Sequence, residues 1–265
     1  MPHVPRSLQK AFRDVREILI PRTCEVCQNR LYAGESIVCT KCATTLERTL
    51  WRGREGNGIE RIMWEKIPIK RANATFHYDR TTNAEEVLFA LKYRSKRHLG
   101  PYFGRCMAQD LEGTDFFSGI NAIVPIPLSR ERLRQRGYNQ SELIARGLAE
   151  TTGLPVRCDI VKRIVNNESQ TRVSPQKREE NVRGIFSVCT DEDLSRMHLL
   201  IVDDVLTTGS TVMSCGKELA KCGCNAISVL TLFVAGIKPE GPYAYEEEDD
   251  YENSLRHKYI PSPKH

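Results

Sequence analysis

The sequence lacks the two glycine-rich motifs that most often mark a nucleotide phosphate site. It contains no G-x-x-x-x-G-K-[ST] segment, which excludes a Walker-type phosphate loop, and no G-x-G-x-x-G segment. It also lacks any apolar run near the roughly 18 to 20 residues that a membrane-spanning helix needs. The basic residues near the N-terminus precede no long apolar stretch. We therefore expect no signal peptide and no membrane partner, and we predict a cytoplasmic protein.

Histidine and aromatic side chains are few, with six His and 7% aromatic residues. His77, His98 and His198 stand apart from any candidate nucleophile, so the pattern does not indicate Ser-His or Cys-His catalysis. No aromatic cluster accompanies the basic stretches, so the sequence shows no clear stacking platform for nucleic-acid bases.

Negative charge is concentrated in one short segment. Six of the seven residues from Glu246 to Glu252 are acidic, and without them the net charge of +5 would be about +11. A body this basic suggests polyanionic ligands, either pyrophosphate compounds or nucleic acid.

The most informative segment is residues 199–211, which reads LLIVDDVLTTGST. Its four leading apolar residues suit a buried parallel strand, and Asp203 and Asp204 follow at the predicted carboxyl end of that strand. A turn rich in hydroxyl groups and then a helical pattern come next. Open α/β folds bind their ligands at this edge of the sheet, so we expect a site here.

The turn is suited to a phosphate monoester. A helix that begins near Ser210 would direct its unpaired N–H groups and its positive dipole end at the turn, and Gly209 would let an oxygen approach closely. The predicted phosphate-binding residues are Thr207, Thr208, Gly209, Ser210 and Thr211.

The acidic pair suits sugar hydroxyls rather than phosphate, because like charges repel. Asp203 and Asp204 are the predicted catalytic residues, since carboxylates can accept hydrogen bonds from ribose hydroxyls or hold a divalent metal through water. A phosphate site beside hydroxyl acceptors describes a ribose 5-phosphate. The alternative is an ordinary strand-turn-helix in which the two acids only cap the helix. The ribose hypothesis requires that the acids and the turn face a cleft.

Four of the ten cysteines form two pairs with metal-knuckle spacing, Cys24-x2-Cys27 and Cys39-x2-Cys42. Four thiolates in two knuckles predict a closed, structural Zn2+ site. An iron–sulfur centre and a disulfide are the alternatives, and a cytosolic location disfavours the disulfide. The other six cysteines lack ligand spacing, and we expect them to be buried as small apolar residues.

Three further segments concentrate positive charge. Residues 124–130, VPIPLSR, form a stiff loop after a predicted strand, and four arginines lie between Arg130 and Arg136. This position favours a pyrophosphate site over a solvated helix face, because guanidinium groups bind phosphate oxygens in a forked geometry. Residues 163–182 are either a lid that shields a reactive sugar from water or an ordinary loop. Lys92 either faces the substrate or only ends a helix favourably.

The 199–211 segment resembles the phosphoribosyl pyrophosphate signature of type I phosphoribosyltransferases. In that family two acids contact the ribose hydroxyls and the turn binds the 5-phosphate. The wider motif set resembles the ComF family, also called ComFC- or GntX-like, over about residues 8–236. The segments that carry this resemblance are the four knuckle cysteines, ALKY at 90–93, VPIP at 124–127, RQRGYNQ at 134–140, Gln170-Thr171, and Arg178 with Asn181 through Phe186.

The resemblance implies a type I phosphoribosyltransferase fold, phosphoribosyl pyrophosphate as the ligand together with Mg2+, and structural zinc at the cysteines. By position it makes Pro127, Leu128, Ser129 and Arg130 the pyrophosphate loop. It also makes 163–181 a flexible loop over the site. The candidate residues of that loop are Arg163, Gln170, Lys177, Arg178 and Asn181, and the other basic candidates are Lys92, Arg134 and Arg136.

Alternating strand and helix patterns from residue 74 predict an α/β fold with a doubly wound, mostly parallel sheet. Thr82 with Glu85, and Asn139 with Glu142, predict capped helix starts. The predicted strands are 74–78, 120–124, 156–161, 184–188, 198–202 and 226–234. The predicted domains are an N-terminal helix and zinc module (1–50), a linker or hood segment (51–73), the phosphoribosyltransferase-like domain (74–238) and an acidic, disordered tail (239–265).

The leading hypothesis is transfer of ribose 5-phosphate from phosphoribosyl pyrophosphate to an unidentified nucleophile, with release of pyrophosphate. The alternative is a non-catalytic accessory protein that senses nucleotides or binds single-stranded DNA, since some members of the ComF family support natural transformation. A third hypothesis is a structural partner of a DNA-uptake helicase.

Overall fold

A computed structural model of the chain describes residues 21–80, 82–94, 96–164 and 184–237. The predicted N-terminal helix and the acidic tail lie outside these residues. The helices in the described ranges are α1 (Thr40–Thr45), α2 (Gly58–Met63), α3 (Ala84–Tyr93), α4 (Leu99–Asp110), α5 (Arg130–Arg136), α6 (Gln140–Thr152) and α7 (Ser210–Lys221). The strands are β1 (Ile69–His77), β2 (Ala122–Pro125), β3 (Val161–Arg163), β4 (Phe186–Val188), β5 (His198–Leu206) and β6 (Ala226–Val234).

Four strands form a parallel sheet in the order β1-β6-β5-β2. The two inner strands, β5 and β6, are buried along nearly their whole length and are mostly apolar, as expected for strands covered on both faces. Val202 of β5 lies in register with Pro125 of β2 and with Leu230 of β6. The carboxyl ends of the strands therefore meet along one edge of the sheet, where the ligand site is predicted.

Helices cover both faces of this sheet. Because side chains alternate along a strand, β5 directs Leu200 and Val202 into one apolar cluster and Leu199 and Ile201 into the other. The first cluster includes residues of α3, α4 and α6, and the second includes residues of α2, α7 and the antiparallel β3–β4 hairpin. This arrangement confirms the predicted α/β class with a mostly parallel, doubly covered sheet.

Several predicted elements have the expected type but different bounds. Helix α6 begins after Asn139, whose side chain accepts a hydrogen bond from the Ser141 N–H, and it ends at Gly153 in the left-handed region. β1 begins at Ile69, before the predicted domain boundary at residue 74. The segment predicted as a linker contains α2, which Asn57 caps by accepting from two backbone N–H groups.

Two local predictions were wrong. Thr82 does not form a capping box with Glu85, because the helix begins one residue later and the Thr82 hydroxyl instead accepts from the Ala84 N–H within a turn. The strand predicted at 156–161 is also not formed. Val156 makes a single parallel bridge to Ile123 of the short strand β2, and the extended pairing occurs further on, in β3.

The cysteine-bearing segment packs on the first apolar cluster rather than standing apart from it. Cys24, Val26 and Cys42 are buried in the same cluster as the side chains of α3 and α4. None of the helices in the described ranges is long and apolar enough to cross a bilayer.

Candidate functional site

The two acids of the signature lie inside β5 and not after it. β5 continues to Leu206 because Val205 and Leu206 pair with the last residues of β6. Successive residues of a strand point to opposite faces, so Asp203 and Asp204 have different surroundings although they share one peptide bond. The expectation that the pair follows the strand was therefore wrong, and the two carboxylates do not form one joint surface.

The turn after β5 forms a shallow concavity at the predicted edge of the sheet. Gly209 adopts φ +74° and ends the turn, and α7 begins at the next residue. Because the N-cap residue is a glycine, no side chain caps the first turn of α7. The concavity is shallow and opens to solvent. Its lining residues are Asp203, Val205, Leu206, Thr207, Gly209, Ser210, Thr211 and Val212.

Four of the five predicted phosphate-binding residues thus line this concavity, and Thr208 does not. The Thr208 hydroxyl donates to Ser210 Oγ at 3.0 Å and accepts from the Ser210 N–H at 3.3 Å. Thr208 therefore shapes the turn from within.

Asp203 reaches the concavity and is held by two donors. Its Oδ1 accepts from Ser141 Oγ at 2.8 Å and from the Asp204 N–H at 2.9 Å. Burial raises the pKa of Asp203 to about 7, and the charge of Asp204 acts in the same direction. This carboxyl group is therefore poised to change charge near neutral pH. Ser141 was not predicted as a site residue from the sequence, although it lies two residues after the Asn139 cap.

Asp204 is turned toward Lys92 of α3. The Lys92 Nζ lies 3.5 Å from Asp204 Oδ2, and both side chains are about 95% buried. Asp204 does not border the concavity. The expectation that both acids face the cleft is therefore wrong, since only Asp203 borders the open space, and it is 8% exposed.

A short helix from the predicted linker packs behind the turn. A Cβ added to Gly209 would lie 3.6 Å from Met63 Cε and 3.9 Å from Ile62 Cγ2, both at the end of α2. Met63 is fully buried. The turn is therefore supported from one side by α2, a contact that an apolar pair alone could not predict.

The predicted pyrophosphate loop leads directly into a helix. Ser129 caps α5 by accepting from the Arg132 N–H, so Arg130 is the first helical residue and not part of a loop. Arg130 and Arg134 are exposed. Pro127 and Leu128 are half-buried between β2 and α5.

Arg136 differs from Arg130 and Arg134 because it is buried. Its Nη1 donates to Gln140 Oε1 at 3.1 Å, and its guanidinium lies 5.1 Å from the centroid of the Tyr93 ring. This geometry opposes the predicted direct contact between Arg136 and pyrophosphate, because the charged group is already engaged inside the protein.

The predicted flexible loop begins at the β3–β4 hairpin. Arg163 ends β3 and stacks over Phe186 of β4, with 5.6 Å between the guanidinium and the ring centroid. The other predicted loop residues, Gln170, Lys177, Arg178 and Asn181, lie outside the described residues.

The four knuckle cysteines converge as predicted. The sulfur atoms of Cys24, Cys27, Cys39 and Cys42 all lie within 4.8 Å of one another. Cys27 and Cys39 are 3.7 Å apart, which excludes a disulfide between them but matches the edge of about 3.8 Å in a ZnS4 tetrahedron with Zn–S bonds near 2.3 Å. The donor set and its spacing therefore fit a structural zinc ion.

The knuckle thiols differ in pKa direction, since burial raises the pKa of Cys39 and of Cys42, whereas backbone donors favour the thiolate form at Cys24. Burial opposes ionisation of Cys24, but N–H groups at Cys27, Cys39 and Val26 outweigh it and lower the pKa of Cys24. One of them, the Cys39 N–H, lies 3.3 Å from the Cys24 sulfur.

The other six cysteines do not share one environment. Cys215 and Cys224 are buried as expected, whereas Cys158, Cys189 and Cys222 are exposed and Cys106 is half-buried. The expectation that all six are buried was wrong, because strand and helix ends leave some of them at the surface.

Comparisons with known proteins agree with this architecture. The phosphoribosyl transferase domain model matches residues 136–258. Competence protein F of Haemophilus influenzae is 25% identical over 222 residues, which cover 78% of this chain and 94% of that protein. Competence protein ComFC of Bacillus subtilis is 25% identical, covering 80% of this chain and 83% of that protein. The DNA utilization protein YhgH of Escherichia coli is 24% identical, covering 81% and 98%.

Two solved phosphoribosyltransferase structures were also compared. The glutamine phosphoribosylpyrophosphate amidotransferase of B. subtilis is 18% identical with a TM-score of 0.37, covering 61% of this chain and 33% of that one. The hypoxanthine phosphoribosyltransferase of Trypanosoma cruzi is 16% identical with a TM-score of 0.34, covering 58% and 74%.

The relatives match most of their own length and most of this chain, and the domain match includes β5, the hydroxyl-rich turn and α7. These similarities support a ComF-family, phosphoribosyltransferase-like protein.

Proposed function

We propose that the protein binds phosphoribosyl pyrophosphate and transfers its ribose 5-phosphate to a nucleophile, releasing pyrophosphate. The observation that carries this proposal is the concavity in which Asp203 meets the start of α7. In the reaction the bond between C1 of the ribose and the pyrophosphate oxygen breaks. A bond from C1 to the nucleophile forms, and the nucleophile loses a proton.

The 5-phosphate is assigned to the turn between β5 and α7. The first N–H groups of α7 point out of the helix end, and the helix dipole adds positive potential there. The hydroxyls of Thr207, Ser210 and Thr211 border the same space. An anion is stabilised in such a place without a lysine.

The ribose is assigned to Asp203. As a carboxylate this residue accepts hydrogen bonds from sugar hydroxyls, and Ser141 fixes its orientation. Asp204 has an indirect part in this proposal, because its carboxylate is engaged by Lys92. Because Asp203 borders the concavity and Asp204 does not, their positions support one direct contact with the sugar rather than two.

The pyrophosphate is assigned to α5, where Arg130 in the first turn and Arg134 in the last turn are exposed. Carboxylate oxygens at Asp203 are suited to Mg2+ with water between them, and the ion would offset the charge of the departing pyrophosphate. The four-cysteine knuckle has no part in this chemistry, because a closed tetrahedral thiolate site leaves no open position.

Calorimetry tests the binding step directly. Phosphoribosyl pyrophosphate with Mg2+ is titrated into the full chain and into Asp203→Asn. We expect saturable binding to the first and at least tenfold weaker binding to the second. Asp193→Asn is the matched control, because Asp193 is exposed and accepts from the backbone N–H of nearby Ser195, away from the site. Absence of binding to the unmodified chain would refute the proposal.

Turnover is tested separately by following pyrophosphate release with a panel of nucleobases and amines. Release that depends on one acceptor supports transfer. Tight binding without release from any acceptor would favour a nucleotide sensor.

A second candidate function is binding of single-stranded DNA during DNA uptake. It is favoured by the names of the relatives, which are competence and DNA utilization proteins, and by the exposed arginines of α5. A contact with DNA phosphates predicts an affinity that falls steeply with salt. Affinity that stays constant between 50 and 200 mM salt, about the range where such contacts weaken by orders of magnitude, would argue against it.

A further inference from the structure

The C-terminal end of α3 contacts three separate parts of the molecule through four consecutive residues, Leu91 to Arg94. The Leu91 carbonyl accepts from the Tyr138 hydroxyl at 2.5 Å, and the Tyr93 hydroxyl accepts from Arg136 at 3.5 Å. Two contacts reach the sites described above. Lys92 pairs with Asp204 of β5, and Arg94 donates from Nη1 to the Val26 carbonyl at 3.0 Å.

The Arg94 contact joins this turn to the metal knuckle. Val26 lies between Cys24 and Cys27 and is 1% exposed, so its position depends on how the two sulfurs are held. The Arg94 guanidinium also lies 5.1 Å from the centroid of the Phe89 ring on the same helix. The Arg94 guanidinium is therefore held by contacts with both the knuckle and α3.

The Lys92 contact joins the same turn to the candidate ligand site. Lys92 and Asp204 are both nearly fully buried, so little space is available in which they can separate. The neighbouring α3 residues from Val87 to Leu91 are buried too. A buried, well-packed helix moves as a unit more readily than it bends, so a displacement at Arg94 reaches Lys92.

We propose that Arg94 and Lys92 are positioning residues that couple the cysteine knuckle to the phosphoribosyl pyrophosphate site. Metal in the knuckle fixes Val26, Val26 fixes the end of α3, and Lys92 then holds Asp204 and the strand end beside Asp203. This inference rests on the proposed function for its ligand and on the fit of the four cysteines for its metal.

Coupling of this kind is reciprocal. If zinc strengthens binding of phosphoribosyl pyrophosphate, the ligand must strengthen retention of zinc by the same factor. We expect a factor of about ten in zinc affinity, within the usual range for coupled sites, and this factor appears in the release rate when the rate of zinc association is unchanged. A purely structural zinc ion without this link would be released at the same rate with and without the ligand.

The experiment measures zinc release from the full, metal-loaded chain to a zinc-selective chromogenic chelator. Release is followed with Mg2+ alone and with Mg2+ plus saturating phosphoribosyl pyrophosphate. We expect about tenfold slower release with the ligand. Arg94→Gln should reduce this ratio to near one. Arg105→Gln is the matched control and should keep the full ratio, because Arg105 pairs with Glu150 at the surface of α4.

A second measurement needs no ligand. Lys92 has no described contact with the cysteines, yet the link predicts that Lys92→Met accelerates zinc release severalfold. The double variant Lys92→Met/Asp204→Asn should do the same and avoids an unpaired buried carboxylate. Unchanged release from both variants would overturn the coupling.

The outcomes separate the two proposals. If calorimetry shows ligand binding but the release ratio of the unmodified chain is one, the coupling is wrong and the proposed function stands. If the ligand does not bind, the proposed function fails, and the Lys92 variants still decide whether the knuckle and β5 are linked.

Discussion

Asp203 is the residue on which the proposed chemistry depends, and its environment is costly for a negative charge. The side chain is almost fully buried, lies next to Asp204 and has only two donors, at Ser141 and at the Asp204 N–H. Burial first, and the charge of Asp204 second, raise the pKa of Asp203 to about 7. Ionising this group for ligand binding therefore costs folding stability.

The pH dependence of stability tests this view of Asp203. In the unfolded chain the carboxyl group ionises near its ordinary pKa of 3.8, whereas in the folded chain it keeps its proton up to about 7. The stability it contributes is present below pH 4 and is lost as the pH rises through 7. Asp203→Asn removes this loss. We expect the variant to gain about 2 kcal/mol relative to the parent between pH 5 and pH 8, measured by urea unfolding.

The same variant should also lose ligand binding, so function and stability are expected to change in opposite directions. An equal stability difference at both pH values would show that Asp203 is ionised in the folded chain throughout this range. Asp193→Asn provides the contrast, because a hydrogen bond from the Ser195 backbone lowers the pKa of Asp193 instead.

At the scale of elements, the turn between β5 and α7 depends on one backbone conformation. Gly209 has φ +74°, a region that disfavours residues with a Cβ. The space around it is adequate, since the nearest atom to an added Cβ is Met63 Cε at 3.6 Å. Any penalty at this position therefore comes from the backbone and from the altered approach of a ligand.

Gly209→Ala is expected to lower the free energy of unfolding by about 1 kcal/mol and to weaken phosphate binding at least tenfold. Gly153→Ala is the matched control, because Gly153 also has a positive φ of +73° and lies next to a helix, at the C-terminal end of α6. No atom lies within 4 Å of a Cβ added there. The control should show the same loss of stability in urea and unchanged affinity by calorimetry. Equal affinities for both variants would mean that no ligand approaches Gly209.

The helices and strands also show which features of the site can be predicted from the sequence. The Asn139 cap, the β5-turn-α7 signature and the four cysteines are visible in the sequence because each depends on residues close together in the chain. The pairing of Lys92 with Asp204 is not visible, since it depends on how α3 lies on the sheet. The single bridge of Val156 could not be predicted either, because it depends on how short its partner strand β2 is.

The sequence pattern also did not show which of the arginine side chains in α5 are buried. Arg136 belongs to a run of arginines that reads as one basic surface, yet it alone of Arg130, Arg134 and Arg136 is buried, beside Gln140 and Tyr93. Helical periodicity places Arg136 on a different face of α5, and only the packing of that face determines its role.

At the scale of the whole molecule, the metal knuckle shares its apolar cluster with the main domain. Cys24, Val26 and Cys42 pack with side chains of α3, α4 and α6. The predicted division between residues 1–50 and 74–238 remains a prediction, but this shared core favours a single unfolding transition over two.

Loss of zinc should therefore affect the entire chain. We expect Cys42→Ser to lose bound zinc, measured by elemental analysis, and to lower the melting temperature of one cooperative transition by several degrees. Cys189→Ser is the control, because Cys189 is exposed and lies outside the knuckle. A separate early transition, with an unchanged main transition, would contradict the shared core.

The strand order has a consequence for how the protein is made. β6 lies between β1 and β5, although it is the last of the four sheet strands in the chain. During translation β1 therefore lacks its partner in the parallel sheet until residues near 234 leave the ribosome, and the edge that β6 will cover stays unpaired. Such distant pairing also slows folding after synthesis. Nascent chains that stall before β6 should consequently depend on chaperones, whereas chains that stall after it should not.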